Sequence, residues 1–187
     1  MKRLIVLAGC NGAGKTTAAF GMLEQALNVR EFVNADEIAK GISPFYPEGA
    51  SIQAGRIMLE RINELARRGD SFAFETTLSS KIFAPLIKRL RIEGYQITLV
   101  FFWLSSSELA IRRVQKRVEG GGHSIPKDVI ERRYHRGLHN FFTLYMGLAD
   151  EWIFIDNSSY QGRVIADSTG VHEPNLWKIV SSLQSTK

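Results

Sequence analysis

The stretch Leu4-Ile5-Val6-Leu7-Ala8-Gly9-Cys10-Asn11-Gly12-Ala13-Gly14-Lys15-Thr16 decides the fold of this 187-residue chain. Its last eight residues fill the pattern G-x-x-x-x-G-K-[ST], the loop that cradles nucleotide phosphates. The apolar run before them reads as a buried strand, and Thr17-Ala18-Ala19-Phe20-Gly21-Met22-Leu23 after them reads as a helix start, which is the context the motif requires. Glycines at 9, 12 and 14 let successive backbone N–H groups turn inward, making an anion nest at a helix N-terminus. Lys15 then faces the β- and γ-phosphate oxygens, and the Thr16 hydroxyl is the expected ligand to Mg²⁺. The expected ATP contacts are Gly9, Asn11, Gly12, Ala13, Gly14, Lys15, Thr16 and Thr17, with ATP and Mg²⁺ as cofactors.

With 44% apolar residues, a chain of this length fills one core, and we expect a single domain over residues 1–187. No apolar run approaches the ~20 residues of a membrane helix. Met1-Lys2-Arg3 followed by Leu7-Ala8-Gly9-Cys10 imitates a lipoprotein signal. Its apolar stretch is shorter than a secretory signal needs, and cleavage there would destroy the phosphate loop, so a cytoplasmic protein is expected. The single cysteine, Cys10, excludes an internal disulfide and occupies a variable position of the loop, where oxidation would block nucleotide binding.

The net charge of +5 is concentrated. Between positions 112 and 136 lie Arg112, Arg113, Lys116, Arg117, Lys127, Arg132, Arg133 and Arg136 against Glu119, Asp128 and Glu131, a local excess equal to that of the whole chain. Nucleic-acid binding recruits interleaved aromatics or a recognisable reading module, and neither is evident. An arginine-rich lid over nucleotide phosphates, spanning roughly 105–136, fits better. Arg113 and Arg117 lie one helical turn apart beside Gly120-Gly121-Gly122, a hinge candidate.

Strand and helix signals alternate along the chain. Strands are expected at Glu31–Asn34, Ser71–Phe74, Ile97–Leu104, Trp152–Ile155 and, weakly, Val164–Ala166. Helices are expected at Asp36–Gly41, Ala50–Arg68 with Ile52, Leu59, Ile62 and Ala66 inward and Gly69 as cap, and Lys81–Glu93. Further helices follow from a capping box at Ser105 and Glu108 through Val118, from Pro126 with Ile130, Tyr134, Leu138, Phe141, Tyr145 and Leu148 on one face, and from Pro174 to Leu183. The class is α/β, a P-loop kinase-like three-layer fold with a mostly parallel central sheet and an arginine-rich helical lid. Ligands of such a sheet gather beyond the carboxyl ends of its strands.

Two acidic residues sit at such ends: Asp36 after Phe32-Val33-Asn34-Ala35, and Glu75 after Phe72-Ala73-Phe74, immediately before Thr76 and Thr77. Each carboxylate can accept the proton of an attacking hydroxyl or hold a magnesium water. The plainer alternatives are a helix cap for Asp36 and a buried partner of Lys15 or an arginine for Glu75. The expected acceptor-binding set is Asp36, Glu75, Thr76 and Thr77, and the expected catalytic set Asp36, Lys15, Arg117 and Arg113. His123 sits in the glycine-rich loop as a surface residue or phosphate contact, and no His–Cys spacing marks a zinc site.

Gly9–Thr16, Asn34-Ala35-Asp36-Glu37-Ile38-Ala39-Lys40-Gly41 with Ser43-Pro44, Phe74-Glu75-Thr76-Thr77-Leu78-Ser79, and Gly121-Gly122-His123-Ser124-Ile125-Pro126 with Arg132-Arg133-Tyr134 together resemble the zeta-toxin-like family of P-loop kinases over about residues 3 to 160. The chain reads as a compact, stand-alone branch of it, with His123 where the family's toxins carry a second lid arginine. Those toxins phosphorylate a sugar hydroxyl of UDP-N-acetylglucosamine with ATP and Mg²⁺. The resemblance implies that Asp36 is the catalytic base, Glu75 a substrate contact and Arg117 a lid arginine on the phosphates. The expected activity is an ATP-dependent kinase acting on a hydroxyl of a small metabolite, a UDP-amino sugar by resemblance. The alternatives are a toxin–antitoxin or regulatory module of little turnover, bound to a small antitoxin-like protein, and a polynucleotide kinase.

Overall fold

The computed structural model describes residues 1–22, 29–122, 124–159 and 161–183; Leu23 at the end of the first expected helix and His123 lie outside them. Among the described residues seven strands form one sheet: β1 (Lys2–Ala8), β2 (Glu31–Val33), β3 (Phe72–Thr76), β4 (Tyr95–Trp103), β5 (Glu151–Asp156), β6 (Arg163–Asp167) and β7 (Gly170–Val171). Their order is β2-β3-β1-β4-β5-β6-β7, the first five parallel and the last two antiparallel. Among the described residues the helices are α1 (Lys15–Met22), α2 (Ala35–Ile42), α3 (Ser51–Arg68), α4 (Phe83–Ile92), α5 (Ser107–Glu119), α6 (Lys127–Asn140) and α7 (Pro174–Leu183). The α/β class and mostly parallel sheet are as the alternating pattern indicated. None of these helices is long and apolar enough to cross a membrane.

Leu4–Ala8 and Val100–Trp103 are buried without alternation, so β1 and β4 are covered on both faces as central parallel strands must be. Phe72 and Phe74 of β3 are fully buried, each worth about 1.5–3 kcal/mol of burial. The register decides where the chemistry can occur. Ala8 lies opposite Thr76 and Phe101, and Val33 lies opposite Phe74, so β1, β2 and β3 end at one edge of the sheet. Gly9–Thr16, Asn34–Asp36 and Glu75–Thr77 emerge there together.

Local chemistry moves several expected boundaries. The cap of α5 is Ser106, whose hydroxyl accepts from the Leu109 N–H at 3.2 Å, and not Ser105, whose N–H donates to Ser158 Oγ at 2.8 Å. Asn34 caps α2, accepting from the Asp36 N–H at 2.8 Å, which leaves the Asp36 carboxylate free of capping duty. In α3 the buried stripe is Ala54, Met58, Ile62, Leu65 and Ala66, while Ile52 is 74% exposed. Gly69 closes that helix at φ +74°, as a C-terminal glycine should. The stripe from Ile130 to Leu148 does not lie on one helix: α6 stops at Asn140, a wider π turn spans Phe141–Tyr145 and a 3₁₀ turn Met146–Leu148. Loosening the winding keeps Phe141 and Tyr145 buried beside Ile130, Tyr134 and Leu138, whereas Leu148 is only partly covered.

Candidate active site

The phosphate loop turns as its glycines dictate. Gly9 adopts φ +138°, and an added Cβ would overlap the Phe102 carbonyl of β4; Gly12 adopts φ +79°, with Ala110 O 2.9 Å and Arg113 Cβ 3.2 Å from the place a Cβ would take. Only glycine fits such backbone. Helix α1 starts at Lys15, so its unpaired first-turn N–H groups face the loop. The loop is held from the side by Asn157, which follows β5 and donates through Nδ2 to Ala13 O at 2.7 Å.

Lys15 is 5% exposed, donates to Cys10 O at 2.8 Å and stands 3.4 Å from Glu75 Oε1. Glu75 is 11% exposed, and its second oxygen accepts from Thr16 Oγ1 at 2.6 Å and Asn34 Nδ2 at 3.0 Å. The paired ammonium, hydroxyl and carboxylate thus form one buried cluster, with Asn34 serving both the α2 cap and Glu75. The oxygens of Thr16 and Glu75 are the hard donors that Mg²⁺ prefers, so the residues fit that ion. Burial pushes the Cys10 thiol up to about 11, against the opposing pull of Lys15 and Arg113. A neutral, covered thiol is a poor target for oxidation, so the sensitivity expected of an open loop position does not arise.

A cavity of about 390 Å³ opens beyond these strand ends. Asp36, Glu75, Thr76 and Thr77, the expected acceptor set, all line it together with Lys15 and Asn11. The Asp36 side chain takes no hydrogen bond from any described residue. Its charged neighbour is Arg133 of α6, which donates to Asn11 Oδ1 at 3.1 Å and whose pKa is drawn down by burial while Asp36 raises it. The loop after β3 is clamped from α6 and the turn beyond it: Asn140 Nδ2 donates to Leu78 O and Tyr145 Oη to Ser80 O, both at 2.7 Å. Leu78 is fully buried at φ +53°, a backbone state that costs of order 1–3 kcal/mol away from glycine and is held here by that clamp.

The two arginines expected on the lid part company. Arg113 directs its fork at backbone, donating to Asn157 O at 2.8 Å and Ser158 O at 2.9 Å, so it braces the segment that braces the phosphate loop. Arg117 is exposed near the end of α5. Gly120-Gly121-Gly122 does not hang open as a hinge: the N–H groups of Gly121 and Gly122 donate to Val118 O and Arg117 O, both at 2.9 Å, with Gly121 at φ +87°, a hydrogen-bonded helix end. Thr17 is exposed, whereas Asn11 and Ala13 are buried. Sequence reasoning left Asn34, Arg56, Arg133 and Asn157 out of the site. Asn34 was readable as a helix cap and Arg133 as a flank of the buried α6 stripe, but Asn157 owes its place to sheet order alone.

A family model described as an AAA domain matches residues 4–142, from β1 to the turn after α6. The chain belongs to this family. An uncharacterised protein of Haemophilus influenzae strain Rd is 29% identical to this AAA domain over 132 residues, 71% of this chain and 92% of that protein. Among solved structures, the PezAT chromosomal toxin–antitoxin system of Streptococcus pneumoniae superposes with a TM-score of 0.66 at 14% identity, covering 98% of this chain and 86% of that one. A crystal structure of AvrRxo1-ORF1:ORF2 with ATP gives a TM-score of 0.74 at 18% identity, covering all of this chain and 65% of that one. The AAA domain therefore has a P-loop kinase-like fold, in agreement with its resemblance to zeta-toxin-like kinases.

Proposed function

We propose that this AAA domain is one cytoplasmic kinase domain over residues 1–187, with 105–136 as its lid, transferring the terminal phosphoryl group of ATP to a hydroxyl of a small phosphate-bearing metabolite. The observation that carries this reading is convergence: Lys15 and Glu75, which form one cluster with Thr16, line the same cavity as Asp36. In the proposed reaction Lys15 and the first-turn N–H groups of α1 hold the phosphates. Thr16 and Glu75 would hold Mg²⁺, which when bound neutralises charge on the phosphate oxygens. Asp36 accepts the proton of the attacking hydroxyl, a role for which its lack of competing hydrogen bonds suits it. Glu75, with Thr76 and Thr77 beside it, orients the acceptor, and Arg117 closes on the transferring group. Arg113 reinforces the nucleotide side indirectly through Asn157.

The sequence resemblance makes a UDP-amino sugar such as UDP-N-acetylglucosamine the first acceptor to try. Likeness to two systems solved with or named for a partner protein supports a further reading in which a small antitoxin-like protein covers the site. The test of the main reading is incubation of the purified protein with labelled ATP, Mg²⁺ and a metabolite extract, followed by mass identification of any species heavier by one phosphoryl group. A single labelled product is expected; ATP turned over with no labelled acceptor in any fraction would overturn it.

A further inference from the structure

Helix α3 contains a glycine that its own backbone does not need. Gly55 lies in the second turn of an 18-residue helix, at ordinary negative φ, and a Cβ built there meets nothing within 4 Å. Mid-helix glycine weakens a helix relative to alanine, so neither conformation nor packing accounts for it. Its place does. Positions 52, 55 and 59 share one helix face, and Ile52, Gly55 and Leu59 all line the cavity that holds Asp36. A side chain at 55 would project between Ile52 and Leu59 into that space.

The wall around Gly55 is apolar apart from one cation. Ile82 and Phe83 line the same cavity, and Ile82, like Ile52, is largely exposed, at 55%. Arg56, next to Gly55, lines the same cavity at its exposed edge and makes no ion pair or hydrogen bond with any described residue. Lys15, by contrast, is matched by Glu75, and Arg133 is bonded to Asn11 and faces Asp36. Arg56 is thus the cation of the cavity left to meet an oxyanion, and its fork suits phosphate or carboxylate.

We infer that Gly55 and Arg56 select the acceptor: Gly55 keeps the α3 wall open to its carbon skeleton, and Arg56 pairs an oxyanion that it carries away from the reacting hydroxyl. This rests on the kinase reading above and deepens it, since the acceptor is then an anionic hydroxyl compound with an apolar face and not a neutral sugar.

The test uses N-acetylglucosamine and two anionic derivatives of it, its 1-phosphate and its 3-O-lactyl ether N-acetylmuramic acid, titrated calorimetrically into protein saturated with a non-hydrolysable ATP analogue. Wild type, G55A, G55L, R56A and R56K are compared. The phosphate or the carboxylate form is expected to bind wild type at least tenfold more tightly than the neutral sugar, the stronger of the two naming the oxyanion. R56A should erase that preference and R56K restore part of it. G55A should raise Tm by roughly 2–4 °C and G55L should fold normally, because helix propensity improves at a site with no clash. G55L should nonetheless weaken binding of the anionic sugar tenfold or more, with affinity for the ATP analogue unchanged. Equal binding of all three sugars by wild type, or anionic preference and affinity untouched by R56A and G55L, would overturn the inference while leaving ATP use standing. Loss of ATP-analogue binding by wild type itself would instead overturn the kinase reading.

Discussion

Glu75→Gln tests the buried cluster directly. The carboxylate has one oxygen 3.4 Å from Lys15 Nζ and the other accepting from Thr16 and Asn34, with Lys15 5% and Glu75 11% exposed. Glutamine keeps the shape but removes the charge, leaving the ammonium to face neutral oxygens, the Cys10 carbonyl among them, with no counter-charge. Truncating one side of a buried ion pair costs about 3–5 kcal/mol. For a chain of this length that corresponds to a fall in Tm of roughly 6–20 °C. The pair can be separated from its members by a cycle: Lys15→Met should also destabilise, while the double variant should recover much of the loss because no uncompensated charge remains. Differential scanning calorimetry without nucleotide measures stability, and titration with ATP and Mg²⁺ measures binding, which neither single variant nor the double should retain at the parental level. A Glu75→Gln protein that melts within 2 °C of the parent, with additive effects in the double variant, would refute the claim that Lys15 and Glu75 act as one unit.

Asp36→Asn should bind ATP normally yet slow transfer by about a hundredfold or more, the usual scale for a positioned general base, as read by single-turnover kinetics; parental turnover would reduce Asp36 to a lining residue. Arg113→Ala should lower Tm and weaken ATP binding by loosening Asn157, whereas Arg117→Ala should slow transfer more than it weakens ATP binding, so identical kinetic and binding profiles for the two variants would contradict the division between them. The Cys10 thiol rises from an ordinary 9.0 to about 11, which cuts its thiolate fraction at pH 8 about a hundredfold. Because burial favours the neutral form, iodoacetamide should label native protein slowly, gain speed only as pH climbs toward 11, and react quickly in urea; rapid native labelling at pH 8 would show the loop to be open.

The phosphate loop was legible because its chemistry is local: glycine offsets, one lysine and one hydroxyl prescribe a geometry that needs no distant residue. The parallel sheet was legible for a similar reason, since the unbroken apolar run of β4 cannot be half exposed. Asp36, Glu75, Thr76 and Thr77 came together because strand ends are where such sheets expose functional groups, and the register of β1, β2 and β3 confirms the shared edge. What stayed hidden depends on side chains choosing among partners. Arg113 and Arg117 look alike in sequence, and the bonds of Arg113 to the carbonyls of Asn157 and Ser158 after β5 appear only once the sheet is assembled. The glycine triplet reads as a hinge until its N–H groups are traced to Val118 and Arg117. Ile52 fits an inward helical stripe by spacing, yet α3 rotates it toward the cavity mouth because Ala54 and Met58 meet the core. The pairing of Glu75 with Lys15 was open in the sequence as one alternative for that carboxylate, and the pairing of β3 with β1 brings the two side chains together.

The central claim is that the phosphate loop and Asp36 serve a shared acceptor cavity, and acceptor-dependent ADP release tests it most directly. ADP formation from ATP and Mg²⁺ is followed with and without a small-metabolite extract, in wild type and in Asp36→Asn. The account predicts slow release by wild type alone, strong stimulation by the extract, and no stimulation in Asp36→Asn despite intact ATP binding. Release that is indifferent to the extract, or stimulated equally in both proteins, would contradict it.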